Sequence, residues 1–430
     1  EQSRQAISDD VERIYAELRK RAKTAHITTS VTSFAGQCTV ELSPTMDQDK
    51  IVKAIRDIPT SHTGQESFCT AVATSIEECS RSSGLLVLIM VTDEAGDSED
   101  ESANMAWASE VANKKARIYV LGREALFGRD DQLVTIHDPA PDENELAVVD
   151  RGPESCYPEQ LQHGPFQKLD HTYSSGFAPY CQSFLVKQTG GRFFMIPDTL
   201  DSLTNHTERN FYNEDLVGYA PELIWSDEYD KRVEQSTLRS TVLTIVEGFG
   251  TGANPNVNYL PLAFDLKDLQ GQMKDAIRRA DKWTKRLDNA ETAIDAAIVA
   301  RKDEKSNRWL ANFDLLRAQL AIDQIRVSEY QRAVQEFLAA PIIPAAVDQY
   351  GRNFKGWRII FLNSREPASV SQEDVSRARQ LVNAVLNDHA GTPWAYLIRR
   401  EWETVGLSCQ VESLYEGQSI QGGHKRTRKL

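Results

Sequence analysis

The segment Gly84-Leu-Leu-Val-Leu-Ile-Met-Val91 is the longest proline-free apolar run in this chain of 430 residues, and it decides the fold class. It falls well short of the roughly eighteen residues that a membrane helix needs. It also lacks the alternation of a strand with one wet face. A short run of this composition reads as a strand covered on both faces, as in a parallel sheet packed between helices.

The flanking periodicities agree. Ile7, Val11, Ile14, Tyr15 and Leu18 recur at helical spacing within 1–22, and strands rich in Thr and Val follow at His26 to Phe34 and Cys38 to Leu42. Ile51, Val52, Ile55 and Ile58 mark one helix, and Phe68, Val72 and Ile76 mark another after the turn at Ser61-His-Thr-Gly64. Beyond the apolar strand, a helix spans Met105 to Asn113 and a strand spans Arg117 to Gly122. A helix over Phe177 to Gly190 is stopped by Gly190-Gly191, and Arg192-Phe-Phe-Met-Ile196 forms a last strand ended by Pro197. Strands separated by helices imply an α/β fold with a doubly wound, mostly parallel sheet, whose ligands sit beyond the carboxyl ends of the strands.

Hydrophobic residues make up 40% of the chain and charged residues 26%, enough for a sizeable core, and the length implies two or three domains. The 49 Lys and Arg stand against 63 Asp and Glu, a net charge of −14 that repels phosphate backbones and argues against nucleic acid as the main partner. Glu1 opens neither with an initiator Met nor with a signal peptide, so the expectation is a processed or trimmed chain. Cys38, Cys69, Cys79, Cys156, Cys181 and Cys409 include no Cys-x-x-Cys pair, which leaves buried thiols, with some disulfide pairing as the alternative. Cys69 and Cys79, on one helix, are ~15 Å apart and cannot pair with each other.

The breaks in pattern give an α/β domain over 1–200 with an insertion at about 123–175, a linker with a helix over 201–260 and a helical bundle over 261–340. A short strand plus a helical pair over 341–415 and a basic tail over 416–430 complete the chain. Trp283, Leu287, Ile294, Ile298, Trp309, Leu310, Phe313, Leu316, Leu320 and Ile325 form a stripe that reads as the bundle core. Proline-bearing breaks bracket the strand Trp357 to Leu362, and helices follow at Gln372 to Asp388 and Thr392 to Thr404. The basic tail reads as a solubilising end or as a contact for an acidic face of a neighbouring subunit. Asn205-His-Thr207 is a lone glycosylation sequon.

In order along the chain, Thr63-Gly64 before a helix, the strand ending Val91-Thr-Asp93, the strand ending Val120-Leu-Gly122 and Thr189-Gly-Gly-Arg-Phe-Phe194 resemble the von Willebrand factor A (vWA) domain. The likeness is to large bacterial proteins that carry this Rossmann-like domain ahead of a helical region; it covers 1 to about 200 and extends more weakly to Gly391-Thr-Pro-Trp-Ala395. The resemblance implies a metal-ion-dependent adhesion site (MIDAS) holding Mg2+ or another divalent cation on oxygen ligands. It carries the metal-ligand roles onto Thr63 and Asp93, with Glu66 as a rival on the second loop. The family's first motif, Asp-x-Ser-x-Ser, has no counterpart here, so the cation is expected only where that motif lies upstream of Glu1. The resemblance also implies a periplasmic or cell-surface location.

Other readings of these residues stay open. Asp93 also fits a helix cap or a loop acid at a strand end, and Thr63 fits a turn beside Gly64. The acids Glu94, Asp97, Glu99, Asp100 and Glu101 read as a solvated loop. The insertion leaves the strand at Arg117 to Leu121 from the edge that presents Asp93, and is expected to lie over or beside that face. Inside it, Cys156, His163, Asp170, His171 and Cys181 follow the spacing Cys-x6-His-x7-His-x9-Cys, which matches no usual zinc ligand pair, so packing is the simpler reading. With no G-x-S-x-G, H-E-x-x-H or phosphate-binding glycine loop, the sequence points away from an enzyme. It points to a protein-binding or adhesion-type protein with a helical scaffold, or to a structural subunit, homo-oligomeric or mixed, of a cell-surface or periplasmic assembly with a degenerate metal site.

Overall fold

The computed structural model describes residues 2–21, 26–59, 65–79, 84–128, 131–137, 144–161, 174–196, 213–250, 266–341, 343–362, 366–404, 406–416 and 427–429. The N-terminal helix α1 (Gln2–Arg21) precedes a hairpin of β1 (Thr29–Phe34) and β2 (Cys38–Thr45), paired antiparallel with Phe34 opposite Cys38. Helix α2 (Gln48–Asp57) starts where the Asp47 carboxylate accepts from the Lys50 N–H. Val11, Tyr15, Val31 and Ile51 close a small core between these helices and the hairpin.

Helix α3 (Phe68–Glu78) leads to β3 (Leu86–Val91), α4 (Ser98–Lys115) and β4 (Ala116–Gly122). The insertion contributes an antiparallel hairpin, β5 (Asp131–His137) with β6 (Asn144–Asp150), before α5 (Tyr180–Gln188) and β7 (Arg192–Met195). Strands β3, β4 and β7 form a parallel sheet in that order, with Leu86 beside Ala116 and Tyr119 beside Arg192. The apolar run is thus a strand of a parallel sheet, but among the described residues it stands at the edge with Val87 and Ile89 open on one face rather than covered on both, and β1 and β2 form a separate hairpin.

Side chains on one face of this sheet, Leu86, Leu88, Met90, Ile118, Val120 and Phe193, pack with Phe68, Val72, Ile76, Ala108, Ala112, Phe184 and Leu185 of α3, α4 and α5. The Gly190-Gly191 pair is required by geometry. Gly190 has φ +66°, and a Cβ on Gly191 would sit 1.6 Å from the Ile118 carbonyl oxygen, so only glycine lets β7 come alongside β4. The insertion leaves and returns at one point, where Ala125 accepts from the Ser175 N–H and donates to the Phe177 carbonyl, and Leu126 bridges Ser174.

The helical half begins with α6 (Ser226–Glu234) and α7 (Thr237–Gly250), two helices where periodicity suggests one. The long pair α8 (Leu266–Ala297) and α9 (Asn307–Ala339) follows. Strand β8 (Phe354–Leu362) pairs antiparallel with β9 (Ser408–Tyr415) around α10 (Gln372–Asp388), with its Ser371–Asp374 capping box, and α11 (Pro393–Thr404). Trp283, Leu287, Ile294, Trp309, Phe313, Leu316 and Leu320 are core residues as the stripe predicts, together with Trp357, Cys409 and Val411 of the two strands. Ile298 instead lies in the turn after α8 and is 38% exposed. The end of the basic tail, β10 (Thr427–Lys429), runs parallel to β6 of the insertion. Among the described residues no helix is long and apolar enough to cross a membrane.

Candidate functional site

At the carboxyl edge of the sheet the chain leaves β3 through Thr92, whose N–H still bonds the Leu121 carbonyl, and turns at once because the Thr92 hydroxyl engages Glu94. This turn presents Asp93 to solvent, with no hydrogen bond or ion pair among the described residues. Thr63 lies outside the described residues.

The acidic run is not a solvated loop. Helix α4 starts at Ser98, seven residues before Met105, and Glu99, Asp100 and Glu101 occupy its first turn, where they suit the positive end of the helix. Asp97 accepts from the Glu66 N–H at 3.0 Å while its own N–H reaches the Glu66 carbonyl at 2.8 Å. Asp100 accepts from the Cys69 N–H and the Thr70 hydroxyl, each at 2.6 Å, and from the Asn104 amide at 2.9 Å. The N-terminus of α3 has no capping bond from its own Ser67, so Asp100 satisfies orphan donors there from another helix. The starts of α3 and α4 are thereby tied together by Asp97 and Asp100, while Glu99 stays exposed.

Residues 151–153 of the insertion run beside the same edge: Pro153 accepts from the Tyr180 N–H at 3.0 Å, and a Cβ on Gly152 would lie 3.0 Å from that of Ala95. His163, Asp170 and His171 lie outside the described residues. Cys156 is half-buried, its thiol pushed up to about 11 by burial, while Cys181 is fully buried against Cys69. Among the described residues no group of three or more His, Cys, Asp or Glu is arranged to hold a metal.

The sheet face opposite the helices is the second feature. Val87 and Ile89 of β3 are 46% and 58% exposed, Phe194 of β7 is 45% exposed and stacks on Tyr119 of β4, and Leu85 stands open at the strand's start. Arg117 and Arg192 share this face and have no ion pair among the described residues.

The third feature was invisible to sequence reasoning. Arg308, at the start of α9, is 1% exposed and donates to Glu154 at 2.8 Å and to Glu159, both in the insertion and equally buried. Glu159 also accepts from the Tyr229 hydroxyl at 2.6 Å and the Asn312 amide at 3.0 Å, and Asn312 accepts from Gln160 and from the Trp394 indole. Burial raises Glu154, with Arg308 opposing it; Arg308 itself is held above its ordinary range by Glu159 and Glu154 despite its burial. With its charged groups closed on each other, this cluster fastens the insertion to the helical half.

Comparison with protein-family models finds no match, nor does comparison with curated proteins. Among solved structures the chain is similar to the conserved hypothetical protein BatB from Bacteroides thetaiotaomicron, at 13% identity and a TM-score of 0.30, over 47% of this chain and 81% of that one. An aerotolerance-related membrane protein from Bacteroides fragilis gives 14% and 0.27, over 45% and 83%. An uncharacterised membrane-spanning protein from Vibrio fischeri gives 14% and 0.15, over 46% and 76%. Superpositions this loose specify neither a shared fold nor a function.

Proposed function

We propose that this chain is a non-catalytic protein-binding protein that docks a partner on the open face of its parallel sheet, with the helical half as scaffold. In this reading the three strands come from a vWA-related parallel sheet with helices on one face only among the described residues, in place of the doubly wound arrangement, and the protein works at the cell surface or in the periplasm. The observation that carries it is the patch of Val87, Ile89, Tyr119 and Phe194 flanked by Arg117 and Arg192. Apolar surface left in water forgoes about 25 cal/mol per Å², and contiguous patches of this kind mark interaction sites. The two arginines select a polypeptide in which carboxylates interleave with apolar side chains.

Selection of displayed random peptides on the purified chain tests this. Enriched peptides are expected to combine Asp or Glu with apolar residues and to lose affinity on Ile89→Ser and on Arg117→Glu. Enrichment that ignores both substitutions overturns the reading. The second reading, a structural subunit, draws on the same charges: exposed Glu99 on α4 complements Arg117 and Arg192 of another copy. Sedimentation that shows self-association, unchanged by chelator and abolished by Arg117→Glu, favours it.

A further inference from the structure

The sulfur atoms of Cys69 and Cys181 lie 3.2 Å apart, with both side chains fully buried as thiols. Each is the second residue of its helix, Cys69 on α3 and Cys181 on α5, so both side chains are held by helices packed against α4. Asp100 fixes the backbone at Cys69, and Pro153 fixes the start of α5 by accepting from the Tyr180 N–H. The separation is below an ordinary nonbonded contact, and a small side-chain adjustment brings two such atoms to bonding distance.

We propose that Cys69 and Cys181 are a disulfide pair, closed by an oxidant that itself carries a disulfide. The thiolate of one cysteine attacks the oxidant's S–S bond, forming a mixed disulfide and releasing one small thiol. The second cysteine, deprotonated in turn, displaces the other small thiol. Two protein S–H bonds are replaced by one S–S bond, and the oxidant leaves as two thiols that carry the two protons. Because both sulfurs are sealed in the folded core, the exchange takes place before α3, α4 and α5 close, or in a local opening. The resulting ring encloses β3, α4, β4 and the insertion that meets Arg308, so one bond braces both the open sheet face and the segment docked on α9.

The test folds the full chain in a buffer of reduced and oxidised glutathione, blocks free thiols with iodoacetamide under denaturing conditions and maps the peptides. A cross-linked Cys69–Cys181 peptide is expected, with four cysteines alkylated. Reduction is expected to lower the melting temperature by several degrees, on the order of 5 °C. The double variant Cys69→Ala with Cys181→Ala should melt like the reduced protein and ignore reductant. Alkylation of both Cys69 and Cys181, or a cross-link from either of them to Cys156, overturns the proposal, and the peptide map of the unmutated chain decides this whether or not the variant folds.

Discussion

Helix α9 and the β3–β4–β7 sheet dispose of polarity in opposite ways. The helix takes Arg308, Asn312, Asp314, Gln319, Asp323, Arg326 and Glu329 into the interior, while the sheet leaves Val87, Ile89 and Phe194 in water. Along the helix the buried groups meet partners within the chain: Asp314 takes Arg301 and the His389 ring, Gln319 reaches Glu401, Arg326 donates to the Gly406 and Glu401 carbonyls, and Glu329 accepts from Arg332 of the same helix, from Ser408 and from the N–H groups of Ala368 and Ser369. Buried charge persists only where it is paired, and the buried charges of α9 are answered within the chain, Arg308 by the acids of the insertion. The sheet's apolar face has no such internal answer among the described residues. Under the proposed function, that contrast assigns recognition to the α/β half and architecture to the helical half.

The sharpest way to break this contrast is Arg308→Ala, which strands Glu154 and Glu159 in the interior. It should cost about 3–5 kcal/mol in urea unfolding and expose the insertion to limited proteolysis. A loss below about 1 kcal/mol would mean the cluster is not the fastening described.

The next effect is a pair of pH dependences of opposite sign on one helix. Glu329 is held down at about 2, because bonds from Arg332, Ser369 and Ser408 outweigh its burial. A depressed carboxylate stabilises above its unfolded value near 4.5 and loses that contribution as pH falls toward 2. Asp323 is pushed up to about 7 by burial, with Arg326 only partly compensating. Its contribution is greatest below 3.8 and declines as pH rises toward 7. Glu329→Gln should therefore cost about 2 kcal/mol at neutral pH, with the difference shrinking on acidification. Asp323→Asn should flatten the decline between those two pH values, and chemical unfolding across the range reads both.

Asp100→Ala removes the donated cap of α3 and should cost about 1 kcal/mol, read as faster amide exchange at Cys69 and Thr70. Smallest of all is Ile89→Ser on the open face, which should change stability by less than about 0.5 kcal/mol. A large loss there would show that the face is covered within the chain, and the contrast would fail.

The sequence discloses apolar periodicity better than polar partnership. The strands Leu86–Val91, Ala116–Gly122 and Arg192–Met195 follow from local pattern, as do α10 and α11. Strand β9 escapes, because Ser408-Cys-Gln-Val-Glu-Ser-Leu-Tyr415 mixes polar residues onto both sides, and its strand character comes from pairing with β8. The apolar stripe of α9 is legible, but the same helix also buries its polar residues, so one-faced amphipathicity misleads there. Arg308 looks like a solvated residue until its acids arrive from about 150 positions away. For the site, Asp93 stands where the strand pattern puts it, whereas Asp97 and Asp100 gain their roles only from the folded position of α3.

The distance between Glu154 and Arg308 also sets an order of events at the ribosome. Glu154 and Glu159 emerge roughly 150 residues before the guanidinium that will neutralise them, an interval on the order of 10–30 s at ordinary elongation rates. For that time Glu154 and Glu159 lack their countercharge, and the insertion has only its contacts with the N-terminal half. Its charge keeps it hydrated while it waits, and the first turn of α9 is the step that draws it in.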